Sequence, residues 1–368
     1  MQSCRIGLFC LGLGVATVAC GSDDSSAGTG GSGSGGTPAG GAPSGGSSSG
    51  GTSAGGAGAG GTAAGGTAAG GTSAGGSGGG TGAVGGLAQK YPGDKGIDQD
   101  PDVIFADDFE SYSKAADLWN RWDNTFQAAQ TRIATEAGLF YAGKQAVEFT
   151  LPKQDQELSN AVQKILTTEL DQLYLRWYSK FDAKNDIVGS SHNGGGMSAH
   201  YFNGNQATPG VPADGKNKFL VEFEHWRGEA ATKSPGMMNV YVYHPEQRSN
   251  YGDHFFPSGL VMPNTSLPFD FGPDFKPMPE VIPELDHWYC YEVMVKANTP
   301  GQRDGRITLW LDGKQIADFG NLRFRDVATL KLDRFNLSFH AGSNTAGETK
   351  KYYDNVVAAK SYIGPMVP

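Results

Sequence analysis

Tyr241 and Tyr243 alternate with Val240 and Val242 in the segment Asn239 to Pro245, NVYVYHP. On an extended strand both phenols leave the same face, about 7 Å apart, close enough to meet one sugar residue. The alternative is an aromatic ladder that only stiffens a sheet. His192, in Ser190 to Gly196 (SSHNGGG), adds an imidazole that titrates near neutrality. Phenols and an imidazole suit elimination beside a carboxylate, where a base removes a proton, an acid protonates the leaving oxygen and a third group takes up the carboxylate charge. His192 can serve as the base or meet the carboxylate. Tyr241 or Tyr243 can serve as acid, or as base beside cations.

A second set lies in Leu173 to Phe181, LYLRWYSKF. Read at a period of two, Leu173, Leu175, Trp177 and Phe181 share one face, and Tyr174, Arg176, Tyr178 and Lys180 the other. The first is a core face. The second alternates phenols with cations. Rings stack on sugars and cations hold carboxylates, so this strand reads as one wall of a groove for an acidic polysaccharide. A solvated strand with snorkelling side chains is the alternative. His340 alternates with Asn336 and Ser338 against Phe335, Leu337 and Phe339, which places it on a groove face as well.

One segment runs against this scheme. In Lys218 to Arg227, KFLVEFEHWR, the apolar set Phe219, Val221 and Phe223 puts Glu222 and Glu224 on the opposite face. Carboxylates in the groove would repel a polyuronate and would suit a glycoside hydrolase with two flanking carboxyl groups. A bulge would flip the parity and bring His225 and Arg227 into the groove instead. A non-catalytic glycan-binding module and a plain envelope structural protein are the further rivals.

These side chains need a scaffold of strands. Strand signals run from Val103 onward, through Ala146–Leu151, Leu173–Phe181, Lys218–Trp226, Asn239–Tyr243, Tyr289–Lys296, Arg306–Leu311, Phe335–His340 and Tyr353–Ala359, with Gly, Pro, Asn and Asp between them. Asp304-Gly305 and Asp312-Gly313 are turn pairs that predict a hairpin. Helical segments are expected near Ala115–Trp122 and Asp155–Ile165. No βαβ rhythm is present. The expectation is an all-β fold: a concanavalin A-like β-sandwich or jelly roll of two antiparallel sheets with few short helices.

The run from Trp226-Arg227 through Tyr241-Val242-Tyr243-His244-Pro245 resembles the fourteenth polysaccharide-lyase family, which includes alginate lyases. The likeness continues through His287-Trp288-Tyr289, Asn298-Thr299-Pro300-Gly301, Asp304-Gly305, Leu309-Trp310-Leu311-Asp312-Gly313, Phe339-His340-Ala341-Gly342 and Tyr353-Asp354-Asn355-Val356. It implies a β-jelly roll that cleaves polyuronates by β-elimination, with Tyr241 and Tyr243 matching the family's Tyr-x-Tyr pair. The family's Lys, ahead of a Leu-Pro-Gly-Leu-like loop, is absent here, and His192 is the nearest functional group. Its Ser and Arg, two apart, fall on Val221 and Phe223 in an ungapped match. Tyr241, Tyr243 and His192 are therefore the expected catalytic set, with Tyr174, Arg176, Tyr178, Lys180, Arg227 and His340 binding an acidic polysaccharide.

The rest of the chain sets the context. Residues 1–20 hold one cation, Arg5, and an apolar run from Ile6 to Ala19 that is too short to span a bilayer. Thr17-Val18-Ala19-Cys20 resembles a bacterial lipoprotein cleavage box, which implies lipidation at Cys20 and an exported, envelope-anchored protein, with a plain secretory signal as the alternative. Residues 21–86 are almost entirely Gly, Ser, Ala and Thr and cannot bury a core. They read as a tether with a mean reach on the order of 45 Å. Residues 87–368 are the folded domain, expected to act as a monomer. The net charge of −9 argues against nucleic acid as a partner. Cys290 has no partner for a disulfide once Cys4 and Cys10 leave with the signal and Cys20 is spent on lipid. The histidines lack metal-ligand spacing, so no catalytic metal is expected. Asp108, Glu110 and Asp354 are weighed as a structural calcium site against plain surface hydrogen bonding.

Overall fold

The computed structural model describes residues 85–189 and 191–368. The expected signal, Cys20 and nearly all of the tether lie outside the described residues.

Among the described residues the chain forms two large antiparallel sheets. The eight-stranded sheet runs in the order Lys314–Leu322, Gly305–Leu311, Tyr289–Lys296, Gln172–Phe181, Thr349–Ala359, Ala146–Leu151, Thr131–Ala134, with Val103–Asp107 also paired to Thr349–Ala359. The nine-stranded sheet runs Val261–Met262, Asp253–Phe255, Met237–Tyr243, Phe219–Trp226, Gly195–Ala199, Leu332–Ala341, Leu158–Leu170, Asn124–Phe126, with Ser191–His192 paired to Leu332–Ala341. Sequence neighbours pair toward the edges of each sheet, while the central strands pair with partners distant in the chain, which makes this a jelly-roll sandwich, as the alternating pattern predicted.

The inward faces meet in one core. Leu173, Leu175, Trp177 and Phe181 from one sheet pack with Val221, Phe223, Val240, Val242, Leu337 and Phe339 from the other. Trp177 makes an edge contact with Phe223, ring centroids 5.9 Å apart. The predicted hairpin is present: Asp312 (φ 50°) and Gly313 (φ 75°) take the left-handed conformation that a two-residue turn requires.

Two expectations change. Ala115–Asn120 is helical, as a short 3-10 turn. Asp155–Ile165 is not helical, because its residues enter the long strand Leu158–Leu170, which pairs with Leu332–Ala341. Val162 and Leu166 are buried in the core, while Ser159, Ala161 and Gln163 alternate onto the other face.

The Tyr174–Lys180 row lies on the outer face of the eight-stranded sheet, and other parts of the chain cover it. Three 3-10 turns at Leu87–Lys90, Pro92–Asp94 and Ile97–Gln99 lead in from the N-terminal side. Asp94 forms an ion pair with Arg176, whose side chain is 0% exposed. The tail returns along the same face, with the backbone N–H of Met366 donating to the Tyr178 hydroxyl at 2.8 Å and those of Ile363 and Gly364 donating to Glu292. Tyr141 stacks on Tyr178 at 3.7 Å, and Lys180 donates to the Gly138 carbonyl and pairs with Asp286. The Asp354 carboxylate accepts the backbone N–H groups of Tyr141, Ala142 and Asn355, and that of Glu110 accepts those of Lys144 and Gln145.

Candidate active site

A groove crosses the outer face of the nine-stranded sheet. Its floor is set by strand alternation. Val221 and Phe223 point into the core, so Glu222 and Glu224 point out. The same parity turns out Tyr241 and Tyr243, Asn336, Ser338 and His340, and Ser159 and Gln163. Phe219–Trp226 pairs with both neighbouring strands without a register shift, so no bulge flips the face; Glu222 lines the groove and Glu224 lies buried beside it. Gly196 lies directly under Glu222, where a Cβ would come within 2.3 Å of the carboxyl group. The loop 200–213 supplies a wall through Tyr201, Phe202 and Pro209.

His192 stands over this floor. Its Nδ1 lies 2.7 Å from Glu224 Oε2, and Glu224 is fully buried beneath it. With the Glu224 carboxylate as acceptor, Nδ1 carries the ring proton and Nε2 keeps a lone pair. The His192 ring lies 4.7 Å from that of Tyr241 and 5.4 Å from that of His340, centroid to centroid. His254 closes the far side, 4.8 Å from Tyr241, with its Nδ1 at 3.0 Å from Asn239 Oδ1. Burial, reinforced by His192, depresses both His254 and His340 to about 3, so both are neutral at physiological pH. Burial also raises the Glu224 carboxyl, against the pull of His192.

The loop carrying His192 is anchored from below. Lys351, wholly buried between the sheets, donates its amine to the Asn193 carbonyl and lies 3.8 Å from the Phe181 ring centroid. Asn193 itself bridges Ser191 and the backbone of His225. The Tyr353 hydroxyl donates toward the carbonyls of Gly194 and Ser338.

The groove floor presents a row of buried polar atoms without hydrogen-bond partners among the described residues: Glu222 Oε2, Asn336 Oδ1, Ser338 Oγ, Gln163 Nε2 and both ring nitrogens of His340. Buried polar atoms are seldom left unpaired, because each costs about 1–3 kcal/mol. A dense row of them beside aromatic rings matches a ligand rich in hydroxyl groups.

The structure therefore brings together His192, Tyr241, Tyr243 and His340. The two tyrosines differ. Tyr241 faces His192, and its hydroxyl accepts the Gly252 N–H at 3.0 Å. Tyr243 is covered by Tyr201 and by the Lys218 amine at 4.7 Å, and its hydroxyl accepts the Gly210 N–H. Tyr174, Arg176, Tyr178 and Lys180 lie on the opposite face of the sandwich and take no part in this groove. Arg227 is also outside it, holding the turn that follows through the carbonyls of Ala230 and Thr232 and an ion pair to Asp186. Val221 and Phe223, on which the family's Ser and Arg fall in an ungapped match, face the core as their apolar alternation predicted. Glu222 and Glu224 take the groove side of that strand, Glu224 beneath His192, and the unbroken alternation of KFLVEFEHWR is the signal that marks them.

The fold is similar to that of the alginate lyase Aly36B, at 18% identity and a TM-score of 0.51 over 71% of this chain and 98% of that one. A doubly substituted variant of Aly36B in complex with alginate trisaccharide matches at 19% identity and a TM-score of 0.50, with the same coverage. No family model and no curated protein matches the sequence.

Proposed function

We propose that this chain is a lyase that cleaves a uronate-containing, acidic polysaccharide by β-elimination in the groove of the nine-stranded sheet. The observation that carries this reading is the His192–Glu224 pair set against Tyr241, over a floor of unpaired polar atoms. His192 Nε2 takes the proton next to the uronate carboxyl group, and Glu224 stabilises the imidazolium that forms. The Tyr241 hydroxyl, whose oxygen is held by the Gly252 amide, gives its proton to the leaving glycosidic oxygen. The bond from that oxygen to the sugar breaks as the double bond forms, so the products are a new reducing end and an unsaturated uronate. The similarity to alginate lyases supports the scaffold. The site chemistry rests on this chain's own residues.

The hydrolase alternative has less support. It needs two carboxyl groups at the scissile bond, and Glu224 is 0% exposed beneath His192. The Gly-rich segment and the N-terminal apolar run support presentation of the groove on an external tether, where large polymers are met.

The test is to incubate the protein with alginate, glucuronan and related polyuronates and follow the ultraviolet absorbance of the unsaturated product. Absorbance should rise with the native chain. His192→Ala should lower the rate by about 10²–10⁴, the usual share of a general base, and Tyr241→Phe should lower it comparably, with Tyr243→Phe much milder. New reducing ends without absorbance, or binding with neither signal, would overturn the reading.

A further inference from the structure

Elimination at a uronate needs the carboxylate charge to be taken up as the neighbouring proton leaves. Among the described residues, the cations nearest the groove are committed elsewhere. Arg334 donates to Gln163 Oε1 and to the Gly204 carbonyl and pairs with Asp333. The Lys218 amine is bonded to Thr208. His254 and His340 are neutral. Arg176 and Lys180 are on the other face of the molecule.

Glu222 occupies the middle of the floor. It is 8% exposed, and Oε1 accepts the Asn336 amide at 2.9 Å. Oε2 is buried, lines the groove and has no hydrogen-bond partner among the described residues. No Lys or Arg pairs with it among those residues. The ionisable groups on the same face are Lys218 and Glu224 from its own side, His192, Arg334 and His340 from the strands beyond Gly196, Tyr241, Tyr243 and His254 from the other side, and Tyr201 and Tyr251 from the loops. A second carboxyl group two residues away and the lack of a counter-cation both disfavour ionisation. Burial accordingly pushes the Glu222 carboxyl up to about 8, with Glu224 adding to the rise and Asn336 and His192 opposing it.

We infer that Glu222, in its acid form, is the receptor for the substrate carboxylate and donates its Oε2 proton in a hydrogen bond to it. This inference deepens the lyase reading and rests on it for the role of the carboxylate in the reaction. An acid-to-carboxylate hydrogen bond is charge-assisted and short. It strengthens as negative charge builds on the carboxylate in the transition state, so it favours turnover as well as binding. It also removes the conflict that glutamates in the groove would repel a polyuronate: one is protonated, and the other is buried under His192. Gly196 is part of the device, because any side chain there would displace the carboxyl group.

The probe is a uronate methyl glycoside, which has no inter-sugar bond to cleave, with its glucose counterpart as control, titrated by ligand-observed NMR. For the native chain, uronate affinity should fall about tenfold per pH unit once the pH exceeds about 8. Glu222→Gln keeps a neutral donor. It should bind the uronate within about threefold of native near neutrality and lose the alkaline decline. Glu222→Leu should lose about tenfold or more for the uronate and little for the neutral sugar. An alkaline decline that persists in Glu222→Gln, or a native groove that binds the glucose analogue as tightly as the uronate, would overturn the inference. The absorbance assay separates the two claims. Product formation with a Glu222→Gln-insensitive pH profile sinks this inference alone. Uronate binding that behaves as stated without product sinks the lyase reading alone.

Discussion

Replacing Asp94 by Ala removes the counter-charge of a guanidinium that has no access to water. The Arg176 side chain is 0% exposed, and only Nη2 is bonded, to Asp94; Nε and Nη1 have no hydrogen-bond partner among the described residues. The Tyr178 ring lies 5.3 Å from the guanidinium carbon, and the buried Glu292, opposite on the paired strand, gives a weaker electrostatic contact without a hydrogen bond to it. Breaking a buried pair on one side costs about 3–5 kcal/mol, because the remaining charge is left uncompensated. In a domain of this size each kcal/mol moves the melting temperature by about 2–4 °C, so Asp94→Ala should melt about 6–20 °C lower. Arg176→Met should also destabilise, by stranding Asp94. The double variant should recover most of the loss, since replacing a buried pair by apolar side chains is often neutral. Urea unfolding of the four proteins closes the cycle. Catalysis, or uronate binding, is then measured well below every midpoint. Because the pair lies on the far face of the sandwich from His192, all four should agree within about twofold, the scatter expected for sites that do not interact. An Arg176→Met variant of native stability that loses substrate binding would refute this and return the Tyr174–Lys180 row to the glycan.

Further outcomes follow from the groove and its supports. The folded carboxyl of Glu222 sits near 8 against an ordinary value near 4.5. The stability tied to its proton is thus full below about pH 4.5 and is lost as pH rises through about 8, by at most about 1.4 kcal/mol per unit. Glu222→Gln should therefore gain on the native chain across that window in urea titrations, and a constant difference would argue that Glu222 is already ionised. Lys351 is held well below its ordinary value by burial, so it resists folding more as pH falls. Lys351→Met should be the more stable protein in acid, yet turn over more slowly, because the Asn193 carbonyl loses the donor that anchors the His192 loop; unchanged turnover would release Lys351 from that role. Gly194→Ala would put a Cβ 1.7 Å from the Phe223 carbonyl oxygen, so activity should vanish with far-ultraviolet dichroism retained, and an active variant would show that the loop can yield.

Much of the sandwich was legible because each strand's apolar residues alternate. Leu173, Leu175 and Trp177 named one core face, and Phe219, Val221 and Phe223 the other, so the phase of Glu222, Tyr241, Asn336 and His340 followed. Leu158–Leu170 was not legible as a strand. Its partner Leu332–Ala341 lies far along the chain, and pairing at that distance leaves no local mark. The misplacement of the Tyr174–Lys180 row has a different cause. Alternating phenols and cations say that a face will be covered by something bearing carboxylates, and that much is true: Arg176 meets Asp94 and Lys180 meets Asp286. A strand's own residues do not reveal whether the carboxylate comes from a sugar or from the protein. What decides is where the ends of the domain return, and here the segments leading in at Leu87 and out past Ser361 close over that face. On the covered face the orphaned atoms are leftovers of a pair already bonded, as in Arg176 and Asp94, whereas on the opposite face Glu222, Asn336, Ser338 and His340 present theirs as one row along a groove that no terminal segment covers.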